Sequence, residues 1–260
     1  MKLKLIAAVV GLTLSAASQA TIVGTTTVGG SDLLLNVWEQ NAPGGQPDQS
    51  FTLNLNETFS QFVANSGNSA TLATLLSTDS TWTSFLASSD TTDAGVLQWS
   101  VIASGSKVTG NVPAILGTVA AGTDPTTAGS SGFLIGNDLN TANTQVNLTL
   151  GGLNKNLDEQ VAVSPSTGYY QNYDLQEFNT HGFANGNVIG TTANVETATY
   201  AGSTAAATMA QLQGTMTFAQ SGANYVLSYN VAAVPEAPGF GMALAGLAAL
   251  GFLAIRRRNA

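Results

Sequence analysis

The chain has 260 residues, with seven basic and fifteen acidic side chains, a formal net charge of −8, one histidine and no cysteine. Five of the seven basic residues (Lys2, Lys4, Arg256, Arg257, Arg258) sit at the two ends, so residues 21–233 set only Lys107 and Lys155 against fourteen acids, a net of −12. That middle lacks the clustered cations that phosphate binding needs, which argues against nucleic acid, and the absence of cysteine removes disulfides, thiolate nucleophiles and Cys-ligated metals.

In chain order, Lys2 and Lys4 come first, then an apolar stretch of about ten residues (5–14), then small residues ending at Ser18, Gln19 and Ala20. This is the build of a secretory signal peptide with cleavage between Ala20 and Thr21, and it implies the Sec translocon and signal peptidase as partners. The apolar run is short for a retained membrane anchor.

Residues 21–233 read as one exported β-rich domain. Six segments (32–40, 50–56, 95–104, 144–150, 210–218 and 223–231) are short, β-branched or aromatic and partly alternating, with Gly, Asn, Ser and Pro clusters between them. The last two predict a hairpin, with Phe218 and Tyr225 flanking its turn. Between residues 57 and 89 the period changes. Phe59, Phe62 and Val63, then Trp82, Phe85 and Leu86, recur at i, i+3, i+4, which predicts two or three short helices with Asn56 and Asp79 or Ser80 as N-caps. The expected fold is mainly β: an antiparallel β-sandwich, jelly-roll-like in one version, with these helices packed on it. Alternation turns Trp38 and Trp99 into its core.

Four kinds of chemistry come into question for this domain. His181, the sole histidine, lies in the polar, Gly-flanked "NTHGFANGN", and no serine sits in a Gly-x-Ser-x-Gly elbow, so a Ser-His-Asp triad has little to build on. A glycosidase needs two facing carboxylates, and spacing selects no pair from Glu39, Glu57, Asp158, Glu159, Asp174, Glu177 and Glu196. The oxygen-rich stretches around Asp90 and Asp93 and around Asp138 and Asn140 match no calcium-loop motif and read as Asx-rich turns. Tyr169, Tyr170 and Tyr173 cluster in the segment 166–187, a loop or edge hairpin, and are the candidates for stacking on sugar rings. The reading is therefore non-catalytic, with no metal and no cofactor. A carbohydrate-binding module is the first alternative, and a secreted polysaccharide hydrolase using paired carboxylates is the second.

The tail 234–260 carries the most specific pattern. Val234, Pro235, Glu236, Ala237 and Pro238 open it; residues 237–255 are apolar and, at 1.5 Å per residue, about 28 Å long, enough for one membrane-spanning helix. Arg256, Arg257 and Arg258 follow, and they hold that end in the cytoplasm by the positive-inside rule while the signal peptide places the domain outside. Pro235 and Pro238 lack N–H donors and fix φ, so regular structure does not run through the junction. This order of Pro-Glu, apolar helix and arginine cluster resembles the PEP-CTERM sorting signal of Gram-negative bacteria, with Ala237 standing where the second proline of that motif usually lies. The resemblance implies an exosortase-like transpeptidase that cuts near the motif. It also implies an inner-membrane-anchored intermediate, and a final place at the cell surface or in an extracellular, exopolysaccharide-containing biofilm matrix.

Overall fold

The computed structural model describes residues 22–39, 48–89, 97–105, 113–123, 150, 152–154, 156–164, 166, 170, 186–199 and 207–232. Ten strands and two helices follow in chain order: β1 (Asp32–Glu39), β2 (Gln49–Thr58), α1 (Phe59–Asn65), β3 (Ala70–Leu75), α2 (Ser80–Ser88), β4 (Leu97–Gly105), β5 (Ala114–Ala120), β6 (Glu159–Val163), β7 (Asn187–Val188), β8 (Thr192–Thr199), β9 (Thr208–Ser221) and β10 (Asn224–Val231). All strand pairs are antiparallel and belong to one sheet ordered β3-β10-β9-β8-β5-β4-β1-β2-β6, with the short β7 added beside β4.

The sheet curls strongly. β2 and β9 stand five positions apart in the strand order, roughly 24 Å across a flat sheet at about 4.8 Å per strand. Yet Phe51 of β2 and Phe218 of β9 both touch the Trp82 indole of α2, with ring centroids 4.9 and 6.0 Å away. Tyr225 of β10 reaches the same ring at 5.1 Å. The two halves of the sheet thus bend toward each other around the helices. The inner core joins Leu33, Leu35, Val37, Trp99, Val101, Leu116, Val195 and Leu227 from the strands to Phe59, Phe62, Trp82 and Phe85 from the helices.

Central strands are buried on both faces. In β1, Leu33, Leu35 and Val37 face inward, while Leu34 and Trp38 join Ile102, Ile115, Val119, Leu150, Leu153 and Tyr170 in a second, outer cluster. Trp38 and Trp99 are both core residues as alternation requires, but they lie on opposite faces of the sheet.

Both helices fall within residues 57–89, with strand β3 between them where sequence periodicity had shown only the helical stripe. Asn56 is not the cap of α1. It takes φ +56°, a left-handed value that Asn tolerates, and bends the end of β2. Thr58 is the N-cap instead, forming a capping box in which its hydroxyl accepts from the Gln61 N–H and the Gln61 side chain accepts from the Thr58 N–H. In α2 the expected Asp79 is the cap.

The β9–β10 hairpin closes through Gly222 and Ala223, with Gly222 at φ +65° in the first central position, the pattern of a II′ turn. Farther along it, the Tyr229 hydroxyl accepts from the Gly214 N–H at 2.8 Å and donates to the Ser66 carbonyl at the end of α1 at 2.9 Å. One phenol therefore ties β9, β10 and α1 together. No helix among the described residues is long and apolar enough to cross a membrane, and the tail expected to do so lies outside them.

Candidate functional site

Of the residues singled out from sequence, Tyr170 is placed with most consequence. Its ring is 3% exposed and packs on Trp38 at 4.7 Å; Ser100 Oγ donates to its hydroxyl at 2.7 Å, and its own N–H donates to Ser50 Oγ at 3.0 Å. Burial pushes the phenol well above its ordinary pKa. A ring in this position has no face for a pyranose, so Tyr170 is a core residue packed on Trp38 of β1 and bonded to Ser100 of β4 and Ser50 of β2, which corrects the expectation of sugar stacking. Every aromatic ring among the described residues is buried or half-buried. Tyr169, Tyr173, His181, Asp174, Glu177, Asp90, Asp93, Asp138 and Asn140 lie outside the described residues, as do Ala20, Thr21, Val234, Pro235, Glu236, Ala237, Pro238, Arg256, Arg257 and Arg258.

The candidate carboxylates scatter, with one exception. Glu39 is buried at the end of β1 opposite Leu97, Glu57 is half-buried near α1, and Glu196 is buried on the outer face of β8 opposite Gly117. Glu159, the first residue of β6, meets Asp79 across the seam between that edge strand and α2. Local spacing marks Asp79 only as a helix cap, and its partnership with Glu159, eighty positions away, leaves no trace there.

The geometry of this seam follows from the helix end. Asp79 Oδ1 accepts from the Thr81 and Trp82 N–H groups, both at 3.0 Å, while its carbonyl accepts from the Thr83 N–H at 3.0 Å and the Thr83 hydroxyl at 2.6 Å. That place suits an acceptor oxygen, since the first N–H groups of the helix have no partner within it. The Glu159 carboxyl, on β6 opposite Leu53, then bonds to Asp79 and to Thr81. Burial first, then the hydrogen bond to Asp79, outweigh Thr81 and lift the Glu159 pKa from its ordinary 4.5 to about 7; the charges of Asp79 and Asp158 push the same way. Glu159 accordingly keeps its proton in mildly acidic water and donates it to Asp79, fastening β6 to α2.

The pair is built as a fastener between sheet edge and helix. Among the described residues no group of three or more His, Asp or Glu side chains is arranged to hold a metal ion.

A pH dependence follows from the raised pKa. The folded chain holds a proton on Glu159 that the unfolded chain releases near pH 4.5, so this contribution to stability is complete below that pH and is lost as the pH rises through about 7. Thermal unfolding across pH 4 to 8 should show a midpoint falling over this window, and Glu159→Gln, which donates without titrating, should flatten that fall. An unchanged slope in the variant would remove Glu159 from the seam.

Comparisons with protein-family models, with curated proteins and with solved structures give no match to this chain, so nothing in them assigns a family.

Proposed function

We propose that this chain is an exported, non-catalytic β-protein of the cell surface or extracellular matrix of a Gram-negative bacterium. In this reading the Sec translocon and signal peptidase carry it out and trim it after Ala20. The helix 237–255 holds it briefly in the inner membrane, and an exosortase-like transpeptidase cuts near Val234–Pro238. The observation that carries the reading is the tail itself: Pro235-Glu236, an apolar run long enough to span a bilayer, then Arg256, Arg257 and Arg258, in a chain whose other end has the build of a signal peptide. β10 ends at Val231, three residues before Val234, so in this reading the cut falls outside the sheet and leaves its strands whole.

The same proposal takes the curled sheet as sandwich-like in its packing, since its two halves face each other across Trp82, with the tail as a single transmembrane helix. Exopolysaccharide is the neighbour this surface would meet, and the low charge content, 8% of residues, suits a hydrated neutral polymer.

The test is the intact mass of the protein recovered from producing cells and from their medium, read at both termini. Release of a form that begins at Thr21 and ends near Pro235 supports sorting and cleavage. A chain that retains Arg258 and stays with the membrane fraction makes the tail a plain anchor and overturns the proposal.

A further inference from the structure

The half of the sheet formed by β8, β9, β10 and β3 carries on its outer face a repeating polar pattern that the strand registers define. Thr192 of β8 stands opposite Thr217 of β9, Thr217 opposite Ser228 of β10, and Ser228 opposite Thr71 of β3. Four hydroxyl side chains therefore form one row across four neighbouring strands, and the first two touch, Oγ1 to Oγ1, at 3.1 Å. Two residues along the strands lies a second row, Asn194, Thr215 and Asn230. The inward positions of the same strands, Met216, Phe218, Leu227 and Tyr229, belong to the core, which fixes these rows on the outside. All seven side chains are exposed or half-exposed. Neighbours within a row stand about 4.8 Å apart and the rows about 7 Å apart, spacings on the scale of one sugar ring.

Charge is missing from this half. β3, β9 and β10 contain no Asp, Glu, Lys or Arg, and the one charged residue of β8, Glu196, is only 6% exposed. The acids of the described chain otherwise lie on β1, β2, β6, α2's cap and the turns around them.

We infer that the outer face of β8, β9, β10 and β3 is a contact surface for a neutral, hydroxyl-bearing polysaccharide. Ser and Thr hydroxyls and Asn amides each donate and accept, as sugar hydroxyls do, so either partner can supply either half of a hydrogen bond. β-Branched threonines on a bonded sheet are stiff at χ1, so little side-chain freedom is lost on contact. A polyanion would be repelled by the acidic remainder of the molecule, and a polycation would be drawn to those acids instead of this face. Single contacts of this kind are weak in water, so binding depends on repeated engagement along a polymer. The two rows hold only Ser, Thr and Asn side chains, so contact with them is made by hydrogen bonding.

The inference rests on the matrix reading above but is tested apart from it. The full chain is sedimented with microcrystalline cellulose and with an insoluble neutral α-glucan, using alginate beads as the anionic control. The variant T71V/T217V/S228A, which removes three hydroxyls at nearly constant shape, is measured beside it, and its melting curve verifies that it folds. Retention on a neutral glycan, at least tenfold weaker in the variant and absent on alginate, supports the inference. Equal retention of both proteins overturns it, as does failure of the parent chain to bind either neutral glycan. Association of copies that the variant loses without any glycan present also overturns it and makes the face a self-contact. The terminal masses decide the sorting reading independently: a correctly cut chain that ignores neutral glycans sinks only the surface, and an uncut chain that binds them sinks only the sorting.

Discussion

Replacing Trp82 with alanine will lower the unfolding free energy by about 3–5 kcal/mol, the range for deleting a large buried aromatic side chain. Trp82 is 1% exposed and meets Phe51, Phe85, Phe218 and Tyr225 with ring centroids between 4.9 and 6.0 Å. These partners come from one half of the sheet, from α2 itself and from the other half, so the cavity left by alanine opens where the curl closes. Against a total stability of roughly 5–15 kcal/mol, the loss is a large fraction. Urea unfolding followed by circular dichroism measures it. Trp82→Phe, which keeps a ring in the gap, should cost clearly less. A wild-type midpoint for the alanine variant would show that α2 does not hold the two halves together.

The second large effect is expected at a residue with no side chain. A Cβ built on Gly214 would lie 2.4 Å from Cζ of Tyr229, a separation that real carbon atoms do not tolerate. Gly214→Ala must therefore push the phenol away, and the ring is 1% exposed with Phe62 against it at 5.1 Å. The displacement also breaks the bonds from the Gly214 N–H and to the Ser66 carbonyl. Overpacking and lost buried hydrogen bonds together should cost about 2–4 kcal/mol, read again from urea unfolding. In a Tyr229→Ala background the obstruction is gone, and the same glycine substitution should cost under about 1 kcal/mol. Equal costs in both backgrounds would rule out the clash as the cause.

How much of this was legible in the residues depends on how local the determining contacts are. β1, β2, β4, β9 and β10 announce themselves because alternation and β-branched or aromatic residues report a pleated, half-buried surface. β5, "AILGTVA", and β8, "TANVETAT", do not: they sit mid-sheet, where strands are covered on both faces and small residues blur the period. β3 was hidden between two helical stripes, and its pairing with β10 is set by residues about 150 positions away. The Asp79 cap was readable from its place before Trp82, since capping is local chemistry. Its bond to Glu159 was not, for the reason that hid β3. Tyr170 misled because a tyrosine among Gly, Ser and Asn residues has the look of a loop side chain, and only the fold reveals Trp38 beneath it.

The position of β3 at the sheet edge, bonded only to β10 among the described strands, sets a timetable for synthesis. β3 ends at Leu75 and β10 begins at Asn224, so at about 5–20 residues per second its partner emerges roughly 7–30 seconds later. Through that interval the nascent chain can pair β1 with β2, but Phe62 and Trp82 have no Tyr229, Phe218 or Tyr225 to cover them. The aromatic faces of both helices thus stay open to a chaperone until β9 and β10 have been made, and final closure of the core awaits the hairpin Thr208–Val231.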